Sequence, residues 1–162
     1  MFVRNRHLNS KQVAPRRSGA VLVENAVVAS VFGLFMAGIM EFGSAYMVQG
    51  AMNAAAQRAA RYGSVEGVTN AEVEALARRV INSAFRSAKA TVMIKNAGIF
   101  DEQNVRPADI NYANLPNIQL KDAETNQLFV IRITVPYNSV ALLPPFWIKN
   151  VTLKAQCVMR HE

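Results

Sequence analysis

Apolar and polar positions follow three different periods along this chain, and each predicts its own kind of element. From Ala20 to Ala60 apolar and small residues dominate, and no proline occurs between Ala20 and Pro107. Within that stretch Asn25 to Met40 is a run of sixteen uncharged residues, bounded by Glu24 and Glu41. About 20 apolar residues cross a bilayer as a helix, so a membrane span over about 20–42 is expected. Arg58 and Arg61 suit the negative end of a helix, and Gly63 suits the position just past it. The prediction is one helix over 20–63, roughly 65 Å long at about 1.5 Å per residue. Its second half, Gly43 to Tyr62, is a stalk rich in Ala, Gln and Asn. There Tyr46, Met47, Gly50, Ala51, Ala54 and Arg58 recur at helical spacing, a row that can pack on a head or on other chains. Tyr46 suits a membrane interface.

A linker, Ser64 to Val68, leads to a second helical pattern over 70–88. Thr69 and Glu72 form a capping box at its start. Val73, Leu76, Ala77, Val80, Ile81, Ala84 and Phe85 mark one apolar stripe. Glu74 and Arg78 form an i,i+4 pair on the wet face. Arg78, Arg79 and Arg86 are read as solvated charges rather than an anion site.

Beyond that helix the period becomes two. Strands are predicted over Thr91–Lys95, Ile118–Lys121, Leu128–Val135 and Val151–Met159, with a turn over Asp122–Asn126. In the third of these Phe129, Ile131, Ile133 and Val135 share one face. In the last, Val151, Leu153, Ala155, Cys157 and Met159 do. The predicted fold class is α+β: a long N-terminal helix, a second amphipathic helix, and an antiparallel sheet of 3–4 strands covered by helix. The head occupies 64–162. The apolar tip Leu142-Leu143-Pro144-Pro145-Phe146-Trp147 is expected to fold under the sheet, the other reading being a binding patch.

Charge separates the ends of the chain. The formal charge is +7, from 18 Lys and Arg against 11 Asp and Glu. Arg4, Arg6, Lys11, Arg16 and Arg17 lie in residues 1–19, which contain no acid. Most of the basicity is therefore a short, patternless leader beside an apolar helix, a distribution that holds a segment on the cytoplasmic side. Nothing downstream extends the basic patch, so nucleic acid is not expected as a partner. The single cysteine, Cys157, precludes an intramolecular disulfide and is read as a buried small hydrophobe. His7 and His161 lie near the two ends, and neither is placed for catalysis.

No Gly-rich phosphate loop, metalloprotease helix motif or nucleophile elbow is present. Asp101, Glu102 and Asp109 fit no cation-loop spacing and are read as solvated. No enzyme activity, metal or cofactor is expected. The sequon Asn150-Val151-Thr152 has meaning only in a glycosylating compartment.

The informative chemistry lies in the apolar stretch. A carboxylate near the start of a membrane helix is costly without a partner. A cut after Gly19 would make the Ala20 α-amino group a cation one turn before Glu24. Glu24 would then pair with that amine or with one on an adjacent subunit. The alternative is a Glu24 that snorkels to water at the bilayer edge, and residue chemistry does not choose between the two. Ala29, Gly33 and Ala37 have small-xxx-small spacing, and Asn25 and Glu41 continue the i,i+4 row. This ridge suits close helix packing.

The segment PRRSGAVLVENAVVASVFGLFMAGIMEFGSAYMVQGAMNAAAQRAARYGS resembles the start of TadE-like pseudopilins of the tight-adherence (Tad/Flp) pilus machinery. Three pieces carry the resemblance: the basic residues followed by Gly19-Ala20-Val21-Leu22-Val23-Glu24; Gly38-Ile39-Met40-Glu41-Phe42-Gly43; and Ala54-Ala55-Ala56-Gln57-Arg58-Ala59-Ala60-Arg61-Tyr62. It covers roughly residues 15–63 well and the head loosely. Asn25 departs from the family's usual apolar or aromatic residue. No proline interrupts Ala26 to Ile39, which favours a straighter helix. The resemblance implies a leader over 1–19, cut after Gly19 by a membrane prepilin peptidase. It implies a minor pilin or pseudopilin held in the inner membrane, with its N-terminus cytoplasmic and its head outside the cytoplasm, possessing a role at the tip or in priming. Partners would be other pilin subunits, the peptidase, inner-membrane lipid and the assembly platform. Glu24 would recruit or register the subunit. The competing readings are an uncleaved single-pass anchor with a binding head, and a type II secretion-like or DNA-uptake minor pilin.

Overall fold

The computed structural model describes residues 18–85, 89–102 and 105–162. Most of the leader and the last residues predicted for the second helix, Arg86 among them, lie outside the described residues. The chain divides into two compact units, Met1–Ala37 and Gly38–Glu162. The described part of the first is the opening of helix α1 (Ser18–Gly63), a 46-residue helix in agreement with the predicted 20–63. From Gly19 to Met36 every residue is exposed.

The second unit holds the rest of α1, helix α2 (Asn70–Ala84) and three strands: β1 (Thr91–Asn96), β2 (Leu128–Pro136) and β3 (Thr152–Arg160). The sheet is antiparallel in the order β1-β2-β3, so β2 is central. The α+β class is as expected. Register is set by the apolar alternation of β2. Ile131 faces Ile94 on one side and Cys157 on the other, and Ile133 faces Val92 and Ala155. Because side chains alternate across a strand, Phe129, Ile131, Ile133 and Val135 all reach one face, and all four are buried in the main core.

Helix α1 supplies one wall of that core. Val48, Met52, Ala55, Ala56, Ala59 and Ala60 are buried there, at spacings of three and four residues. Of the predicted row, Tyr46, Met47, Gly50 and Arg58 are exposed, and Ala51 and Ala54 are half-buried. Small side chains let the helix approach closely, and Gly63 shows how closely. A Cβ placed on it would lie 3.0 Å from Leu120 Cδ1 and 3.2 Å from Val73 Cγ2. Gly63 is thus a close-packing residue inside the last turn, not the positive-φ residue past the helix end; that conformation belongs to Gly67, at φ 79°.

The other face of β2 carries a smaller cluster. Leu128 and Val130 pack with Ala97, Tyr112 and Leu115 of the segment joining β1 to β2. The strand predicted over Ile118–Lys121 is not formed. Asn117 makes a single bridge to Lys95, and Leu120–Asp122 is one turn of 3-10 helix. Buried Leu120 and Ile118 explain the apolar pattern without a ladder. Cys157 is half-buried against the core, and that burial raises its thiol pKa, partly offset by Arg61.

The α2 capping box is present. The Thr69 N–H and hydroxyl each donate to Glu72 Oε2 at 2.9 Å, and these bonds lower the Glu72 pKa. A carboxylate held below its ordinary 4.5 contributes stability that is whole above that value and is lost as pH falls through the lowered pKa. Glu72→Gln is therefore expected to be less stable than wild type at neutral pH and equal to it in strong acid. Denaturant midpoints of the full chain in micelles at the two pH values check this; an unchanged gap in acid would refute it.

Candidate functional site

The sequence-predicted residues fall into two environments. Gly19, Ala20, Glu24, Ala29 and Gly33 are exposed along α1, and Ala37 is half-buried. Among the described residues no side chain comes within 4 Å of a Cβ placed on Gly33, and Glu24 makes no salt bridge. The first turns of α1 thus present an apolar surface with one acid and no partner within the described chain. An 18-residue window of this helix has a mean hydropathy of 2.0 and none of it is buried, which makes it long and apolar enough to cross a membrane.

Glu41 is different. It is 6% exposed, although it ends an apolar run and has no cation among its helical neighbours. Its carboxylate is held by the loop between β2 and β3. The backbone N–H groups of Phe146, Trp147 and Ile148 all donate to it, Phe146 to Oε2 at 3.1 Å and Ile148 to Oε1 at 2.6 Å, with Trp147 shared between both oxygens at 3.0 and 3.1 Å. Three consecutive amides converging on one anion form a backbone nest. The same residue's carbonyl accepts from Tyr137 Oη at 2.9 Å, and Ser44 Oγ lies 2.7 Å from that hydroxyl. One helical turn is therefore tied to both ends of the loop.

The loop is closed at its base as well. Asn138 Nδ2 donates to Asn150 Oδ1 at 3.0 Å, and the Asn150 N–H returns a bond to Asn138 Oδ1 at 3.2 Å. Asn150 adopts φ 56°, which asparagine tolerates better than most residues. The loop runs alongside α1 instead of folding under the sheet. Trp147 lies over Gly38, 3.8 Å from the position of a Cβ there, and stacks on Phe42 with ring centroids 6.5 Å apart. A Cβ at 38 would meet that indole in ordinary van der Waals contact. The physical reason for the departure is that the sheet face is already filled by α1 and α2, and the Glu41 carboxylate offers the loop amides an anion.

This tie was hard to find by sequence. The loop contributes amides, not side chains, and amides have no signature. The available signal was Glu41 itself, an acid at the end of an apolar run that needed something to hold it.

Elsewhere the head has an open cleft of about 600 Å³ beside Arg132 and Tyr112. Arg132 lies 4.1 Å over the Tyr112 ring there, and Gln156 donates to the Tyr112 hydroxyl. Asp101 pairs with Arg160 at 2.6 Å. Among the described residues no group of three potential metal ligands occurs. His161 is buried at 2% exposure, and neither ring nitrogen has a partner among the described residues.

Comparison with curated proteins and with solved structures finds no match. The family model described as TadE-like protein does match, over residues 19–61. That segment starts at the Gly expected before a cut and runs to the last turn of α1, through Glu24 and Glu41. Over residues 19–61, then, the leader's end, the apolar run and the stalk are similar to TadE-like proteins.

Proposed function

We propose that the chain is a pseudopilin or minor pilin of a tight-adherence pilus, acting at its assembly or tip, with roles in adhesion and biofilm formation. A prepilin peptidase cuts after Gly19, and 143 residues remain. The observation that carries this reading is the TadE-like match beginning at Gly19 on an exposed apolar helix with an acid at its fifth following residue. Until assembly the subunit stays in the inner membrane by the span of about 20–42, N-terminus cytoplasmic and head periplasmic. In the pilus, Ala29, Gly33 and Ala37 give neighbouring pilin helices a close-packing ridge. Its partners are other pilin and pseudopilin subunits, the peptidase, membrane lipid and the assembly platform. The role is structural, not enzymatic.

N-terminal sequencing and intact mass of membrane-extracted protein test it. From cells that contain the peptidase, the chain should begin at Ala20, and replacing Gly19 by a bulky residue should leave Met1–Gly19 attached. Full-length wild-type protein in such cells would instead support an uncleaved single-pass anchor.

A further inference from the structure

The loop that closes over Glu41 leaves four large apolar side chains in the open. Leu142, Leu143, Phe146 and Trp147 are 78%, 46%, 64% and 41% exposed. The loop is nevertheless tied down at its base by Asn138 and Asn150 and at its far side by the Glu41 carboxylate. It is therefore built to hold these groups outward. Each such side chain keeps apolar surface in water, a cost that an apolar medium would remove.

The position of the tip says which medium. Trp147 packs on Gly38 and Phe42, where the uncharged run of α1 gives out. A helix from Ala20 to Gly38 is about 28 Å long at 1.5 Å per residue, close to the roughly 30 Å of a bilayer's hydrocarbon core. The indole therefore falls at the depth where Trp and Tyr gather in membrane proteins. Ile39 and Phe42 beside it are themselves exposed, at 66% and 57%, so the apolar surface of the helix passes onto the loop without a break. The loop from Tyr137 to Asn150 contains no acid. Its one cation, Lys149, lies 5.5 Å from the Phe146 ring centroid, with a stem long enough to reach headgroups. The one carboxylate nearby, Glu41, is turned inward onto backbone amides.

We infer that Leu142–Trp147 is a second membrane anchor, inserted into the interfacial region of the leaflet nearest the head. The inference rests on the membrane-spanning part of the proposed function, not on cleavage or pilus assembly. It makes the depth of α1 in lipid a property of the head as well as of the helix.

Trp147 is the only tryptophan, so its fluorescence reports the loop alone. The full chain is reconstituted into vesicles of phosphatidylethanolamine and phosphatidylglycerol doped with brominated phosphatidylcholine. Trp147 is expected to be quenched roughly twofold more by bromines near the headgroup end of the acyl chain than by bromines near its terminus, as for an interfacial aromatic. Leu142→Trp in a Trp147→Phe background should behave alike. If lipid bromines leave the Leu142 reporter untouched while aqueous acrylamide quenches it freely, the anchor is refuted. Protection from both quenchers together with chain-to-chain cross-linking also refutes it, and gives the tip to a second copy. Val28→Trp in the same background separates the two readings. If bromines near the chain terminus quench it, the span holds and a failed Leu142 reporter sinks the anchor alone; if they do not, span and anchor fall together.

Discussion

Cells that make Glu24→Ala are expected to hold the usual amount of membrane-embedded protein and to lose the subunit from sheared pili by about tenfold or more, the factor that a pairing free energy of about 1.4 kcal/mol commands. The two readouts part for a physical reason. An ionised carboxylate in a membrane helix opposes insertion, so removing it does not weaken the anchor. Under the proposed cut after Gly19, what it removes is the partner of the Ala20 α-amino group, four residues earlier and therefore on the same helical face. Glu24 is exposed and makes no salt bridge among the described residues, so no competing role in the head would be lost. Fractionation followed by immunoblotting of membranes and sheared surface material measures both quantities. Glu24→Asp, which keeps the charge, should restore part of the incorporation. Normal incorporation of Glu24→Ala would end the pairing role and leave Glu24 as an acid that reaches water at the bilayer edge.

Phe129→Ala should destabilise the head by about 3–5 kcal/mol, the usual cost of emptying a buried aromatic site. Phe129 has no exposed surface, sits on the central strand and faces Met159 across the β2–β3 ladder. Its ring also reaches the α1–α2 junction, with Cε2 3.5 Å from the position of a Cβ on Gly63. Helix, sheet and junction all lose contacts together, and a close-packed site of this kind does not collapse to fill the gap. Hydrogen exchange of the β2 amides in the full chain should accelerate accordingly. By contrast Val158→Ala, on the exposed side of edge strand β3, should change stability by less than about 0.5 kcal/mol. Equal effects from the two substitutions would show that the core does not centre on Phe129.

Strong periodicity made most of the fold legible. The alternation of Phe129, Ile131, Ile133 and Val135 named the core face of β2, and the Thr69–Glu72 capping box named the start of α2. Ile118–Lys121 misled because two apolar residues in a short polar segment bury equally well from a strand or from a 3-10 turn. Gly63 misled in another way. Glycine serves both a left-handed backbone and a close approach, and only the neighbours Leu120 and Val73 distinguish them. At the candidate site Glu41 reads in sequence as the end of the packing row of Ala29, Gly33 and Ala37, whereas the structure turns it onto the amides of Phe146, Trp147 and Ile148, which look like every other amide.

The wall of alanines that α1 lends to the core has a mechanical meaning. Ala55, Ala56, Ala59 and Ala60 are interleaved with the sheet and with α2, and at the opposite end of the shared stretch Glu41 is clamped by three amides. Tension along the helix axis would load all of these contacts at once, in shear, instead of peeling them one by one. Such a joint transmits a pull on the helix to the whole head. The head also has no separable boundary at Ser64: a fragment starting there would keep α2 but lose the wall that α1 lends to the core, so the smallest piece that keeps its core begins near Gly38.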